Sequence, residues 1–256
     1  MRYTVRLSYD GSSFCGWQIQ RGAQSIQECL QNALSTLLKA GIEVTGAGRT
    51  DSGVNAVNYV AHFDWDGDAI IDPDNFVYKL NAILPRGIVV HEVLEAGPDF
   101  HARFDARRRE YTYFLHRCKD PFIERYSYMY MRDLDVGAMN AAAGHILGTH
   151  DFSCFEKTGG NNKTSICTVF EAGWHYYTPS HVEVLGYPVE GKYLYFRISA
   201  DRFLRNMVRA VVGTLLEVGV GKRSPESVKE LVATGTRGDA GQSVPGEALF
   251  LNEVDY

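Results

Sequence analysis

Apolar residues follow two different periods in this chain, and this constrains the fold more than any other feature of the sequence. From Arg2 to Asp10 apolar and polar residues alternate, which is typical of a half-buried strand. Between Ser25 and Gly41 apolar residues recur every three or four positions, which predicts a helix that begins with a Ser25–Glu28 capping box and ends at Gly41. Both periods occur without a regular β-α-β alternation, so the sequence predicts an α+β fold with a largely antiparallel sheet.

The same patterns predict the other elements. Further strands are expected at 58–64, 88–94, 110–117, 168–176, 182–185 and 193–200, and further helices at 72–84, 136–147, 203–218 and 224–235. Ile83 and Leu147 are expected on the buried sides of the helices at 72–84 and 136–147. The apolar face of the helix at 203–218 comprises Leu204, Met207, Val208, Val211, Val212, Leu215 and Leu216. Gly213 lies in the middle of one predicted helix, which indicates close packing against another element. A loop tip is expected at 159–162. The similar order of elements predicts two related domains, 1–106 and 107–256, without a flexible linker.

Composition limits the functional classes. No apolar run approaches the ~18 residues of a membrane helix, and the N-terminus has no signal-like apolar region, so a cytoplasmic protein is expected. The five cysteines are scattered and form no C-x-x-C pair, so neither a disulfide framework nor a zinc knuckle is expected. His145, His150 and Cys154 lie close in sequence but do not have the spacing of known metal ligands. The sequence therefore predicts no metal site.

The net charge of -5 argues mildly against a nucleic-acid partner, but the basic residues are clustered. One cluster comprises Arg103, Arg107, Arg108 and Arg109, and the other comprises Arg202, Arg205 and Arg209. In a helix beginning at Phe203 the second cluster would lie along one side, as a basic surface for a polyanion. Solvated charged faces remain the alternative for both clusters.

The segment from Gly46 to Ala56, G-A-G-R-T-D-S-G-V-N-A, predicts a tight loop in which a ligand can approach closely. A dinucleotide-binding loop is rejected because its third glycine would fall on Asp51, whose carboxylate repels phosphate. P-loop and nucleophile-elbow motifs are absent. A purely structural turn remains one reading. The other makes Asp51 a functional carboxylate kept ionised by a guanidinium, with Arg49 and Arg209 as candidates.

Basic and aromatic residues interleave from Phe100 to Tyr113. RNA-binding surfaces use this mixture because arginines contact phosphates and aromatic rings stack on unpaired bases. Aromatic strands are equally common in protein cores. For Tyr113 and Phe114 we expect a place in the core, whereas composition leaves Tyr111 open.

Several blocks in order resemble the TruA family of tRNA pseudouridine synthases, nearly from end to end. They are Y-D-G at 9–11, F-C-G-W-Q at 14–18, G-A-G-R-T-D-S-G-V at 46–54, F-H-A-R-F at 100–104, R-E-Y-T-Y at 109–113, D-F-S-C-F at 151–155, F-L-R-N-M-V-R at 203–209 and A-L-F-L at 248–251. The block G-R-T-D-x-G-V is highly specific.

This resemblance implies a role for each matching residue. Asp51 corresponds to the catalytic aspartate, and Tyr111 to a tyrosine that stacks on the target uracil and takes part in proton removal. Arg209 corresponds to the arginine that pairs with the catalytic carboxylate. Arg49 corresponds to an arginine that fills the space left by the flipped nucleotide, and Leu249 lies in a motif that lines the uracil pocket. Arg103, Arg107, Arg202 and Arg205 are expected to contact RNA.

The resemblance also implies a fold and a reaction. The fold is α+β, with two similar domains that share a mixed, mainly antiparallel sheet and form a basic cleft. The reaction isomerises uridine to pseudouridine in the anticodon arm of tRNA, at positions 38, 39 and 40, after the base is flipped out. No atoms or electrons are gained, so no cofactor is expected, and the family works as a homodimer. One departure is Asn55, where many relatives have histidine; it leaves loop packing or RNA contact open.

Two rival functions remain at this level. The first is a catalytically silent RNA-binding module on the same scaffold. The second is a hydrolase of small molecules with an aspartate nucleophile, against which the basic and aromatic interleaving argues.

Overall fold

A computed structural model gives the fold of residues 1–157, 159, 163–186 and 191–256, and these are the described residues. These residues form two compact units. Unit 1 comprises Met1–Arg107 and Phe250–Tyr256, and unit 2 comprises Arg108–Leu249. The predicted domains, 1–106 and 107–256, stay a prediction. Residues 160–162 of the loop tip expected at 159–162 lie outside the described residues.

Unit 1 packs two helices with a sheet. Its elements are β1 Arg2–Tyr9, α1 Ile26–Leu38, β2 Val44–Gly46, β3 Asn55–Asp64, α2 Pro73–Ile83 and β4 Ile88–Ala96, and most of the last strand of the chain, β10 Leu249–Asp255, also belongs to it. The strand order is β4-β1-β3-β10, with β2 beside β3. β1 pairs antiparallel with both neighbours, and β10 pairs parallel with β3.

Unit 2 contains β5 Arg108–His116, β6 Tyr128–Met129, α3 Val136–Gly144, β7 Gly148–Asp151, β8 Ile166–Tyr176, α4 Ser180–Leu185, β9 Tyr193–Ala200, α5 Met207–Gly219 and α6 Glu226–Thr234. Its strand order is β5-β9-β8-β7, with antiparallel pairs, and β6 lies parallel to β5. Across the described residues the ten strands form a mixed, mainly antiparallel sheet. The predicted α+β class is therefore confirmed.

The alternating pattern of β1 is confirmed, because its four inward side chains are almost inaccessible: Tyr3, Val5, Leu7 and Tyr9. In α1, Ser25 is the N-cap and its hydroxyl accepts a hydrogen bond from the backbone N–H of Glu28, as the capping box predicts. The helix ends earlier than Gly41, because Lys39 already adopts a left-handed conformation with φ 53°. None of the described helices is both long and apolar enough to cross a membrane.

Three predictions of local structure are wrong. The strand expected at 182–185 is the short helix α4, which starts after Pro179 and ends at Gly186 with φ 69°. The apolar run there is too short for its period to separate strand from helix. The helix expected at 136–147 ends at Gly144, so Leu147 is exposed, not buried. Ile83, expected on the buried side of α2, is 44% exposed, whereas Leu80 and Leu84 are buried.

Candidate active site

The predicted tight loop joins β2 to β3 in unit 1. The two strands pair antiparallel, with Gly46 opposite Ala61, and the backbone N–H of Ala47 extends the ladder by donating to the carbonyl of Val60 at 2.9 Å. The loop is therefore held at its first residue by the sheet. It carries Arg49 and Asp51 between two regular strands, where a side chain can be positioned precisely.

A cluster of aromatic side chains packs under the loop backbone and holds it by hydrogen bonds. The Tyr59 hydroxyl donates to the carbonyl of Gly48 and lies 3.3 Å from the backbone nitrogen of the same residue. The hydroxyl oxygen of Tyr9 lies 2.9 Å from Oγ1 of Thr50 in the core. The rings of Trp17 and Tyr59 stack with centroids 4.2 Å apart. Loop geometry is thus fixed by buried tyrosines from β1 and β3.

The chain before α1 clamps the same loop. The backbone N–H of Trp17 donates to the carbonyl of Thr50 at 3.2 Å. Gly16 has φ +95°, and a Cβ there would lie 2.4 Å from that carbonyl oxygen. A Cβ at Gly11 would lie 2.1 Å from the carbonyl oxygen of Val54. Only glycine permits these approaches, which explains why Y-D-G and F-C-G-W-Q accompany the loop in the sequence.

Asp51 lies half-buried at the turn of this loop. Its carbonyl oxygen accepts from the backbone N–H of Val54 at 3.2 Å, and Gly53 makes the turn with φ +81°. Arg49 is exposed. The turn fixes the backbone of Asp51, and the residue stays partly accessible, as a nucleophile or a general base requires.

Asn55 has a defined place in this arrangement. Its side chain is 1% exposed, and its Oδ1 accepts a hydrogen bond from the backbone N–H of Gly11 at 2.9 Å. Asn55 therefore packs the candidate catalytic loop against the segment after β1. Of the two roles that the sequence left open, loop packing is the one that this geometry supports.

In unit 2, Tyr111 lies on β5, paired with Ile198 of β9. It is half-buried, and its ring meets Phe203 edge to face, with centroids 5.1 Å apart at 90°. Tyr113 is fully buried, and this burial raises the pKa of its hydroxyl. The expectation that Tyr113 belongs to the core is confirmed, and Phe114 is only partly buried. Tyr111 is thus the tyrosine of this pair that stays partly accessible.

Arg209 lies in the first turn of α5, on the side that faces the segment before β10. Its Nε donates to the carbonyl of Val244 at 2.7 Å, and the backbone N–H of Val244 donates back to the carbonyl of Arg209 at 3.3 Å. This contact orients the guanidinium. Leu249 lies five residues after Val244 and is 4% exposed. Its backbone N–H donates to the carbonyl of Gly246 and closes a turn just before β10.

The helical placement predicted for Arg202 and Arg205 is wrong. α5 begins at Met207, because Asn206 adopts a left-handed conformation with φ 63° that a helix cannot contain. Arg202 and Arg205 therefore lie in the preceding turn. Arg205 is exposed, and its carbonyl accepts from the backbone N–H of Lys157. Only Arg209 of this cluster is carried by the helix.

The arginines of the other cluster differ in their surroundings. Arg103 and Arg107 are exposed. Arg108 forms an ion pair with Glu110 at 2.8 Å, and Nη1 of Arg109 donates to the carbonyl of Asp201 at 2.7 Å. The side chains of Arg108 and Arg109 therefore make contacts within the protein. Arg103 and Arg107 are the two whose exposure suits contact with a ligand.

The described side chains form no metal cluster, and Cys154 and Cys167 are buried thiols. No group of three or more His, Cys, Asp or Glu residues among them is arranged to hold a metal ion. Burial raises the pKa of Cys154 to about 11 and that of Cys167 to about 12, so both thiols stay protonated at neutral pH. An outer concavity of about 170 Å³ in unit 1, lined in part by Arg6, Leu94 and Phe100, contains none of the predicted catalytic residues.

Sequence reasoning missed the partners that position these residues. Phe203 contacts Tyr111, and Val244 holds Arg209. Phe203 stands in the block F-L-R-N-M-V-R. This block indicates that the residue matters but does not indicate that its ring contacts Tyr111. Val244 acts through a backbone carbonyl, which leaves no signal in the side-chain sequence.

The mixed ten-stranded sheet, with helices packed on it and an aspartate on the rigid β2–β3 loop, places the chain in the class of α+β proteins with the pseudouridine synthase fold. A family model described as tRNA pseudouridine synthase matches residues 7–105 and 142–256. The chain therefore belongs to the tRNA pseudouridine synthase family, and its relatives place it in the TruA branch.

Curated relatives match over the whole chain. The tRNA pseudouridine synthase A of Bacteroides fragilis is 46% identical over 256 residues, which cover 100% of this chain and 96% of the relative. The enzyme of the same name from Bacteroides thetaiotaomicron is 46% identical and covers 100% of this chain and 90% of its own length. That of Parabacteroides distasonis is 42% identical, with 100% and 96% covered.

Proposed function

We propose that this protein is an isomerase that converts uridine to pseudouridine in the anticodon arm of tRNA, at positions 38, 39 and 40. The observation that carries the proposal is the half-buried Asp51 on a clamped loop, within a chain that matches tRNA pseudouridine synthases over its full length.

The chemistry suits these residue types. The reaction breaks the bond between uracil N1 and ribose C1′, turns the base and rejoins it through C5, so atoms and electrons balance without a cofactor. The carboxylate of Asp51 serves by attack at C1′, by attack at C6 or by assisting elimination at the sugar. Each route needs a carboxylate held close to the nucleoside, and the clamped loop supplies that pre-organisation.

The other site residues take supporting roles in this proposal. Tyr111 stacks on the target uracil and takes part in proton removal, for which its partly accessible ring on β5 is suited. Arg209 pairs with the catalytic carboxylate in this proposal, and its Nε donates to the carbonyl of Val244, which holds the side chain in a defined position. Arg49 fills the space left by the flipped nucleotide, and Leu249 lines the uracil pocket. These assignments come from the resemblance.

The RNA contacts and the oligomeric state in this proposal also come from the resemblance. Arg103, Arg107, Arg202 and Arg205 contact the phosphates of tRNA in the proposal, and the protein works as a cytoplasmic homodimer. Counterion release would then make tRNA affinity fall steeply with salt. The exposure of Arg103, Arg107 and Arg205 supports this part of the proposal.

The test uses an unmodified tRNA transcript with uridines in the anticodon arm, incubated with the purified protein and no added cofactor. Pseudouridine is mapped by carbodiimide-dependent stops of reverse transcription. Asp51→Asn keeps the shape of the side chain and removes its charge, and Asp66→Asn is the control because Asp66 is exposed on a distant turn of unit 1. We expect stops at positions 38 to 40 that vanish with Asp51→Asn and persist with Asp66→Asn.

Three other outcomes would change the assignment. Tight tRNA binding without any stops would identify a catalytically silent RNA-binding module. Stops that persist with Asp51→Asn would remove Asp51 from the reaction. Failure of the wild-type protein to bind tRNA at low salt would instead favour an aspartate-dependent hydrolase of small molecules.

A further inference from the structure

The block F-H-A-R-F at 100–104 presents one aromatic ring to solvent. Phe104 is 73% exposed, whereas Phe100 is half-buried and Ala102 is fully buried. Leaving a phenylalanine in water forgoes the favourable free energy that burial would supply. The proposed reaction does not use this ring.

Phe104 stands on a rigid turn. Nδ1 of His101 accepts from the backbone N–H groups of Arg103 and Phe104, each at 3.2 Å. The backbone N–H of His101 donates to Oδ2 of Asp105 at 2.7 Å. The turn is therefore closed on both sides by its own polar side chains, and the exposed ring is held in place rather than left loose.

Two long-range contacts anchor the turn to the rest of unit 1. The backbone N–H of Ala102 donates to Nδ1 of His62 on β3 at 3.1 Å. The hydroxyl of Tyr256 donates to the carbonyl of Ala102 at 2.7 Å. Ala102 is thus tied to a strand and to Tyr256, so the backbone of the turn that carries Phe104 is pre-organised before any ligand arrives.

Cationic and aromatic groups flank the ring. The guanidinium carbon of Arg103 lies 5.6 Å from the centroid of Phe104, within the range of a cation–π contact. The His101 ring lies 4.2 Å away, centroid to centroid, at 31°. An aromatic face next to an arginine is the combination that holds an unpaired nucleobase, because the ring stacks on the base and the guanidinium meets its phosphate.

We propose that Phe104 and Arg103 form a stacking platform for an unpaired base of the RNA substrate, separate from the uridine that reacts. This inference rests on the proposed function. The turn is tied to His62, seven residues beyond Asn55 along β3, which is roughly 20 Å at the rise of an extended strand. Asp51 lies next to the other end of that strand. One nucleotide does not bridge both points, so the stacked base is a neighbour in the RNA.

A second copy of the chain is the competing occupant, and the surface argues against it. The ring is surrounded by the exposed charged residues Arg103, Asp105 and Arg107, so it is a small apolar island. A stable protein interface buries about 800 Å² on each partner around an apolar centre. A ligand that stacks on a single ring and carries negative charge fits the island better.

The experiment compares Phe104→Ala with Phe104→Trp, which keeps a stacking face, and with Phe122→Ala. Phe122 is the matched control because it is also an exposed phenylalanine, at 66%, in the other unit. The dissociation constant of each variant for tRNA is measured by filter binding at several salt concentrations. The single-turnover rate of pseudouridine formation is measured at saturating protein.

We expect Phe104→Ala to weaken tRNA binding about 10- to 100-fold, the effect of losing one stacked base. The salt dependence should keep its slope, since stacking releases no counterions, and the rate at saturation should change less than about twofold. Phe104→Trp and Phe122→Ala should bind like the wild type. Arg103→Ala should reduce the slope of log K against log salt by about 1.

Three results would overturn the platform. The first is a Phe104→Ala variant that binds tRNA like the wild type while the wild type forms pseudouridine. The second is a loss of rate at saturation without a loss of affinity, which would move Phe104 into the reaction. The third is dissociation of an oligomer by Phe104→Ala in sedimentation, which would make the ring a subunit contact. Wild-type protein that neither binds nor modifies tRNA would instead refute the proposed function.

Discussion

Single residues decide how the candidate catalytic loop is held. Asn55 shows this best. The backbone N–H of Gly11 loses its hydrogen bond to water on folding, and the buried Oδ1 of Asn55 accepts a hydrogen bond from it instead. Tyr9, Trp17 and Tyr59 act on the other side of the loop through hydroxyl, backbone and ring contacts. The loop that carries Asp51 is therefore shaped by residues outside it.

Asn55→Ala is expected to lower the free energy of unfolding by roughly 1–3 kcal/mol, because the N–H of Gly11 would stay buried without its acceptor. Urea denaturation measures this change. Asn58→Ala is the control: Asn58 is half-buried on the same strand, and its Nδ2 lies 3.4 Å from a carboxylate oxygen of Glu253. The control should lose less than about 1 kcal/mol. Equal losses in both variants would show that the Gly11 bond is unimportant.

At the scale of elements, α5 differs from its predicted form at its start. Its predicted apolar face is confirmed, since Leu204 before the helix and Met207, Val208, Val211, Val212, Leu215 and Leu216 within it are all buried. The predicted start of the helix at Phe203 is wrong, because Asn206 has a left-handed backbone conformation and the helix begins only after it. The prediction that Gly213 marks close packing is confirmed: a Cβ there would lie 1.8 Å from the carbonyl oxygen of Gln242.

Gly213→Ala is expected to destabilise the protein by more than about 1 kcal/mol, although alanine is the better helix former by about that amount. The added methyl group would push residues 241–244 away from α5 and disturb the Val244 contact of Arg209. Thermal unfolding measures the loss. Gly144→Ala, in α3, is the control because no atom lies within 4 Å of its Cβ position, and it should be neutral or stabilising. A stabilising Gly213→Ala would contradict the packing.

At the scale of the whole molecule, contacts between distant parts of the chain complete unit 1. β10 returns from the end of the sequence to pair with β3, and the N–H of Arg107 donates to the carbonyl of Asp255 at 2.8 Å. His62 joins β3 to the 100–105 turn across 40 residues. Burial, with help from the charges of Arg2 and His101, lowers the pKa of His62 from 6.5 to about 4.

This shift predicts how stability depends on pH. The unfolded chain protonates His62 near pH 6.5 and the folded protein only near 4, so the free energy of unfolding should fall as the pH falls through that window, by about 3 kcal/mol in all. His62→Gln should reduce this slope in denaturation curves taken between pH 7 and 4. His91→Gln, which alters an exposed histidine, should keep it. An unchanged slope with His62→Gln would assign the dependence to other groups.

Local patterns in the sequence were enough to predict the α+β class, most elements, the buried faces of β1 and α5, and the tight loop around Asp51. They were enough because periodicity, caps and glycines act within a few residues of each other along the chain. The start of α5, the helical form of α4, the packing role of Asn55 and the exposure of Phe104 became visible only in the folded chain. Those outcomes depend on backbone carbonyls and side chains that lie far apart in sequence, such as Val244 with Arg209 or His62 with Ala102, and local patterns carry no information about such pairs.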